Sequence, residues 1–322
     1  MKSRRIVLSM AALVLALAPA AAQQTAETPA ARPAPKLFFG WAPKPVPLTE
    51  WKAPNKPIWR LSEIMASHKG KADWVQPIVR DRDYAADYIS MGPGGKTKAQ
   101  FWADDPIFWY IASGQIRFHI EGQEPFVASK GFLVQVPYRN VYWMETVGDE
   151  PSVRFEVAHA NRTPLYPAVQ GDTGPAPTAK GKTYILASYR TPPAPYTDKV
   201  KPYLDFWGDF VKHPTRGDHA FVSDANNFMN VIRGHGTPTP PDSNKGHFHI
   251  DYNEFWVIAE GTIDYKMEGM PFYTADVGDV VYAPQGRWHR ASWAGNDMST
   301  RIAINPRPEG MHNYDPDSGG RQ

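Results

Sequence analysis

Gly246-His-Phe-His-Ile-Asp-Tyr-Asn-Glu254 sets two histidines two residues apart and a carboxylate five further on, and Gly278-Asp-Val-Val-Tyr-Ala-Pro-Gln-Gly-Arg-Trp-His289 adds a third imidazole downstream. On an extended chain side chains alternate, so His247 and His249 turn to one face. Asp251, Tyr252 and Asn253 are turn formers, after which Glu254 opens a strand rich in strand-favouring residues that ends at Gly261. Residues 278–283 read as a buried strand, 284–286 as a turn, and His289 as the first inward residue of the next strand. A lone histidine on a strand more often faces solvent or a hydrogen-bonded core. Here His247, His249, Glu254 and His289 fall in register with two strand-turn-strand units, and three neutral imidazoles with one carboxylate suit a divalent first-row metal. One or two coordination positions would remain for water or substrate.

This spacing resembles the cupin family, whose first motif is H-x-H, three or four residues, E, six residues, G. Four residues separate His249 from Glu254 and six separate Glu254 from Gly261. The second family motif, G-x5-P-x-G-x2-H, is matched by Gly278, Pro284, Gly286 and His289. Pro241 stands where the first motif usually opens with Gly, and Trp293 where the second often ends in Asn. Neither position supplies a ligand in the family. The resemblance implies an all-β double-stranded β-helix, or jelly roll. It also implies one divalent transition metal per chain, iron or manganese first, with zinc, nickel or copper as alternatives.

An internal repeat extends the reading beyond the motifs. An offset of 147 pairs Phe255 with Phe108, Trp256 with Trp109, Gly261 with Gly114, Gly269 with Gly122, Gly278 with Gly131, Pro284 with Pro137 and Arg301 with Arg154. The same offset places Gln100 under His247, Trp102 under His249, Ile107 under Glu254 and Tyr142 under His289, so the first copy keeps no ligand. It reads as a structural or dimerising half, which makes a homodimer an expectation. His119 in that half has no partner at motif spacing and reads as an ordinary strand residue. The fold class is therefore all-β, two tandem cupin jelly-roll domains with a few short helices. The expected division is a leader at 1–22, a Pro-rich segment at 23–72, the first cupin domain at 73–165, a linker with a short helix at 166–218, the metal-bearing domain at 219–308 and a tail at 309–322. Within these, 59–66 and 202–211 read as short helices, 184–188 as a strand shared between halves, and the tail as irregular.

At the start, Lys2, Arg4 and Arg5 precede an apolar run from Ile6 to Ala18 and small residues at 20–22, the pattern of a signal peptide. The run is shorter than the roughly 20 residues a bilayer span needs. A periplasmic or secreted location is expected, by the general secretory route or, since residues 3–8 look like a degraded twin-arginine signal, by that one. Loss of the leader takes three cations from the 35 Lys and Arg, leaving 32 against 33 acids and a net charge of −1. That balance recruits no nucleic acid. Cysteine is absent, which excludes disulfides, thiol nucleophiles and thiolate ligands.

The expected partner is a small-molecule substrate. Strand parity places Trp256, Ile258, Tyr282, Ala291 and Trp293 inward with the ligands, an aromatic lining that suits a planar substrate or a small organic acid. Tyr282, Arg290 and His235 are the candidate catalytic side chains. Arg290 or Arg287 could clamp a carboxylate, although both have parity opposite to His289, and His235 between two glycines could act as acid or base. Three functions stay open: a non-haem metal dioxygenase, which the resemblance often implies; a redox-neutral isomerase, lyase or decarboxylase; and a non-catalytic metal- or ligand-binding protein.

Overall fold

Two antiparallel sheets built on one plan lie back to back, each closed over by a smaller three-stranded sheet. The computed structural model describes residues 47–167, 185–187, 192–212, 217–236, 246–307 and 312–313, all within the unit running from Trp41 to Gln322. The leader at 1–22, its export motif, Pro241 and residues 168–184, 188–191 and 213–216 of the linker fall outside the described residues.

The first half comprises β1 (Ile58–Trp59), α1 (Leu61–Ser67), β2 (Trp74–Arg80), β3 (Tyr84–Met91), β4 (Ile107–Ser113), β5 (Gln115–Ile120), β6 (Phe126–Ser129), β7 (Leu133–Val136), β8 (Tyr142–Val147) and β9 (Ser152–His159). Next come β10 (Leu165–Pro167), β11 (Ile185–Ala187) and β12 (Tyr203–Leu204). The second half comprises β13 (Gly217–Ser223), β14 (Asn227–Gly234), β15 (Glu254–Glu260), β16 (Thr262–Met267), β17 (Tyr273–Asp276), β18 (Val280–Ala283), β19 (His289–Trp293) and β20 (Ser299–Pro306). The sheet orders are β12-β7-β4-β9-β3-β2 with β6-β5-β8, and β1-β18-β15-β20-β14-β13 with β17-β16-β19.

The two halves superpose strand on strand in sequence. β4 to β9 map onto β15 to β20 at an offset of 147, and β2 and β3 map onto β13 and β14 at 143. The second half therefore carries four more residues in the loop that leads to its ligands. A bulge recurs at the same place, between Ile111 and Ser113 and between Ile258 and Glu260. The turn after it holds Gly114 at φ +69° and Gly261 at φ +63°, a left-handed conformation only glycine adopts freely. A Cβ on Gly261 would lie 2.5 Å from Met298 O.

β4 and β15 are buried along almost their whole length, because alternate residues feed different cores. Trp109, Phe118 and Tyr142 fill the first barrel, while Trp256, Tyr265 and Val281 fill the second. Phe108, Phe155, Phe255, Ile304, Tyr84 and Tyr88 belong to a third core between the large sheets. There Tyr84 meets Phe255 edge-on at 5.5 Å, and each buried aromatic contributes roughly 1.5–3 kcal/mol by removal from water. Hydrogen bonds cross the same joint: Tyr84 Oη donates to Asn305 O at 2.7 Å and Tyr88 Oη to Gly278 O at 2.6 Å.

Short arms exchange between the halves. β1 precedes the first barrel yet pairs with β18 of the second, and β12 precedes the second barrel yet pairs with β7 of the first. The first arm is pinned by Arg60, whose Nη1 lies 2.8 Å from Asp279 Oδ2, while Leu61 N donates to Oδ1 of the same buried carboxylate. Residues 59–66 are thus not one helix: Trp59 is in β1 and the helix runs from Leu61 to Ser67. Residues 202–211 give β12 and a π-helical turn at Phe206–Phe210 instead of an amphipathic helix, with Asp205 accepting from Gly208 N. A segment that short, with Gly208 inside it, lacks the length to nucleate a stable α-helix. β11 pairs in parallel with β10 and is not shared between the halves.

Candidate metal centre

His247 and His249 lie on extended backbone outside the regular strands. His247 forms an isolated antiparallel bridge with His289, donating N–H to His289 O at 2.9 Å and accepting from His289 N at 2.8 Å. The Pro284–Gly286 turn is tied to the same segment, since Gly286 N donates to His249 O at 2.6 Å. Glu254 opens β15 opposite Ala283. Four donor atoms, Nε2 of the three histidines and Oε2 of Glu254, therefore come within 4.8 Å of one another.

The individual separations are 2.9 Å for His249 to Glu254, 3.2 Å for His289 to Glu254, 3.2 Å for His289 to His247 and 3.8 Å for His247 to Glu254. Two ligands about 2.1 Å from one ion lie about 3.0 Å apart at a right angle and about 3.4 Å apart at a tetrahedral one, so the set can hold a metal ion. Protonation also fits. Burial depresses His247 to about 4, with the neighbouring His289 adding to the effect, and burial likewise depresses His289. Burial alone would raise Glu254, but the three surrounding histidines outweigh it and hold the carboxyl well below its ordinary value. Neutral imidazoles and an ionised carboxylate are the forms a metal requires.

Outer partners orient each ligand. His289 Nδ1 donates to Arg287 O at 3.1 Å, which leaves Nε2 as the lone-pair atom. With its amide nitrogen turned to the carboxylate, Asn305 donates to Glu254 Oε1 at 3.0 Å. The His249 ring stacks on Tyr252 at 4.2 Å. The turn between the ligands is clamped by the first half: Asp81 Oδ2 accepts from Asn253 Nδ2 and from Tyr282 Oη, each at 3.1 Å, and Asn253 Oδ1 accepts from Gln285 N at 2.9 Å. Asp81→Ala should therefore weaken metal binding about tenfold in a chelator competition. Tyr88→Phe, which removes a joint hydrogen bond far from this turn, should leave the affinity unchanged; equal losses in both would mean the clamp acts only through stability.

The same pKa directions govern the metal-free protein. A histidine whose folded pKa lies below its unfolded value of about 6.5 resists protonation, so its stabilising effect is present above 6.5 and lost as pH falls toward 4. For His247 the loss over that window is on the order of 2 kcal/mol, and Glu254 continues it below about 4.5. Urea midpoints of chelated protein should drop between pH 7 and pH 4.5, and His247→Gln should flatten that dependence.

Four sequence candidates lie away from the four donors. Tyr282 does not face the pocket. Because Glu254 pairs with Ala283 and Trp256 with Val281, the odd residues of β18 share the ligand face, while Val280 and Tyr282 enter the core between the halves. Arg290 alternates with His289 onto the outer side of β19, only half-buried. Arg287 is buried but committed elsewhere, giving Nη1 to Glu268 O at 2.7 Å and stacking over Trp51 at 3.7 Å. His235 follows the end of β14, exposed, with no contact tying it to the donors.

One site residue gave no sequence signal. His312 stacks on His247 with ring centroids 4.1 Å apart and planes 12° apart. It arrives because Asn313 and Phe248 exchange backbone hydrogen bonds of 3.0 Å, so a short piece of the tail is ordered strand-like over the site. His247 is the most exposed donor, its side chain 23% accessible against 6% or less for the rest, and it keeps that exposure with His312 stacked on its ring.

In the first half, Tyr142 bridges Gln100 as His289 bridges His247. Its hydroxyl accepts from Gln100 Nε2 at 2.8 Å and Trp102 Nε1 at 3.1 Å, a hydrogen-bonded hub where the second half converges its donors. His119 stacks on Trp143 at 3.6 Å on the outer face.

A profile described as Cupin domain matches residues 236–304. No curated protein matches the sequence. Among solved structures, the chain is similar to a Cupin 2 conserved barrel domain protein from Leptotrichia buccalis, 11% identical over 78% of this chain and 96% of that one, with a TM-score of 0.51. It is also similar to a variant of salicylate 1,2-dioxygenase from Pseudoaminobacter salicylatoxidans, 10% identical over 78% and 88%, with a TM-score of 0.56. A looser likeness, TM-score 0.47, is to a variant of oxalate decarboxylase from B. subtilis, 12% identical over 76% and 74%. At these identities the likeness is one of fold.

Proposed function

The chain is a member of the cupin superfamily, and from that premise we propose that it is an exported metal-dependent dioxygenase acting on a small aromatic or organic-acid substrate. The observation that carries the reading is the convergence of three Nε2 atoms and one carboxylate oxygen in the second barrel, with no equivalent cluster among the described residues of the first. Bound iron(II) or manganese(II) would supply Lewis acidity and open positions at which a substrate and dioxygen meet.

The chain's own residues prepare that chemistry. Arg287 O and Asn305 fix the orientations of His289 and Glu254, so the donors need no rearrangement on loading. Trp256 packs against His289 at 5.1 Å and Tyr265 packs against Trp256 at 5.6 Å, which dries the inner side of the site. Export rests on the leader pattern at 1–22. No helix among the described residues is long and apolar enough to cross a membrane.

The test is oxygen consumption by protein whose metal has been identified by elemental analysis after isolation from its own periplasm. Consumption of one dioxygen per substrate, across a panel of hydroxybenzoates and short dicarboxylates, supports the proposal. Turnover under strict anaerobiosis would make the protein a redox-neutral lyase or decarboxylase, and binding without conversion in both conditions would make it a binding protein.

A further inference from the structure

The two barrels differ in one internal carboxylate. In the first, Trp109 on β4 and Glu156 on β9 are cross-strand partners, and Trp109 Nε1 donates to Glu156 Oε2 at 2.8 Å. Arg154, two residues earlier on β9, brings its Nε within 3.4 Å of the same oxygen. One carboxylate thus serves an indole and a guanidinium.

The second barrel keeps the register and loses the acid. Trp256 pairs with Ala303 and Ile258 with Arg301, as Trp109 pairs with Glu156 and Ile111 with Arg154. The tryptophan and the arginine remain, while alanine stands in place of the glutamate. Arg301 Nε is buried without a hydrogen-bond partner among the described residues, and the Trp256 indole packs between Tyr265 and His289. Two hydroxyls have also been added. Tyr265 and Tyr273 replace Phe118 and Phe126 in an otherwise matching stacked pair, 5.9 Å and 15° against 5.5 Å and 12°. Both hydroxyls are buried without partners among the described residues. Tyr265 packs against Trp256 at 5.6 Å, which sets its ring beside the residue that pairs with Ala303.

Buried donors of this kind are unfavourable unless something accepts from them. Arg301 cannot shed its charge, so its acceptor has to be an anion or a strong dipole. Position 303 also adjoins the metal centre, since Asn305, on the same face two residues along β20, donates to Glu254.

We propose that the second barrel binds the carboxylate of its small-molecule ligand where the first barrel holds Glu156, with Arg301 and Trp256 as the two donors and the Tyr265 hydroxyl as a third. This rests on the metal-dependent reading for the identity of that ligand as substrate, and it narrows the substrate class to carboxylates. Arg287 and Arg290, the arginines nearest the motif in sequence, take no part in it.

The test uses benzoate as probe, with uncharged benzamide as control, titrated by calorimetry into metal-loaded and metal-free protein. Benzoate should bind the wild type, and Arg301→Met should weaken it at least about tenfold. Ala303→Glu supplies the missing carboxylate from the chain itself, so it should also weaken benzoate at least about tenfold while raising the melting temperature. Arg301→Lys keeps the charge without the planar fork and stands in should Arg301→Met fail to fold; a clear loss of affinity is expected there too. Benzamide binding should not respond to any of these changes. A wild type that ignores benzoate, or an Ala303→Glu protein that binds it as tightly as wild type, overturns the proposal. Failure of the metal reading would appear separately, as a wild type that takes up no metal, and the metal-free titration still decides the carboxylate subsite.

Discussion

His249→Ala should fail to take up a metal and keep its fold. His249 places Nε2 2.9 Å from Glu254 Oε2 and is 2% exposed, so no water takes over its position cheaply. Removing one of four protein donors should lower affinity by roughly a hundredfold or more. The strands lose little, because their stability comes from three apolar cores and the His249 carbonyl still accepts from Gly286 N. The deleted ring also carries a buried Nδ1 with no partner among the described residues, which offsets part of the cavity cost. Compared with chelated wild type, the variant should lose no more than about 1–2 kcal/mol in urea unfolding. Elemental analysis gives the metal per chain; a metal-free variant that is unfolded would make the site structural instead.

Tyr142→Ala should do the reverse, destabilising the protein and leaving its metal in place. The side chain is fully buried, packs against Trp109 at 5.3 Å and accepts two hydrogen bonds. Truncation creates a large cavity and strands the Gln100 and Trp102 donors, a loss of about 3–5 kcal/mol. Tyr142→Phe keeps the volume and strands only the donors, so about 1–3 kcal/mol is expected. Metal per folded chain should equal wild type in both. A fall in that ratio would mean that the first barrel also takes part in holding the ion.

Much of the site is legible along the chain because its key spacings are short. The two-residue step from His247 to His249, the turn before Glu254 and the turn before His289 leave the backbone few ways to run. The offset of 147 is legible for a similar reason, since duplicated strands repeat their Gly and Pro punctuation. Tyr282 shows where such reasoning fails. All four residues of β18 are buried, so alternation separates 280 and 282 from 281 and 283 without telling which pair faces the ligands. Only the pairing of Glu254 with Ala283 decides it. His312 carries no periodic signal at all and reaches His247 through a bridge between Phe248 and Asn313, 65 residues apart.

By itself, the sequence determined the donor set, its spacing, the duplication and the absence of ligands from the first copy. Tertiary structure alone decided which faces of the strands meet, how the arms cross, that Asp81 of one half braces the turn before Glu254 in the other, and that Arg301 Nε is buried without an acceptor among the described residues. Local spacing constrains a backbone over one turn or one strand. Contacts between residues about 170 to 220 apart, such as Asp81 with Asn253 or Tyr84 with Asn305, exist only once two sheets have packed, and no pattern within either segment encodes the other.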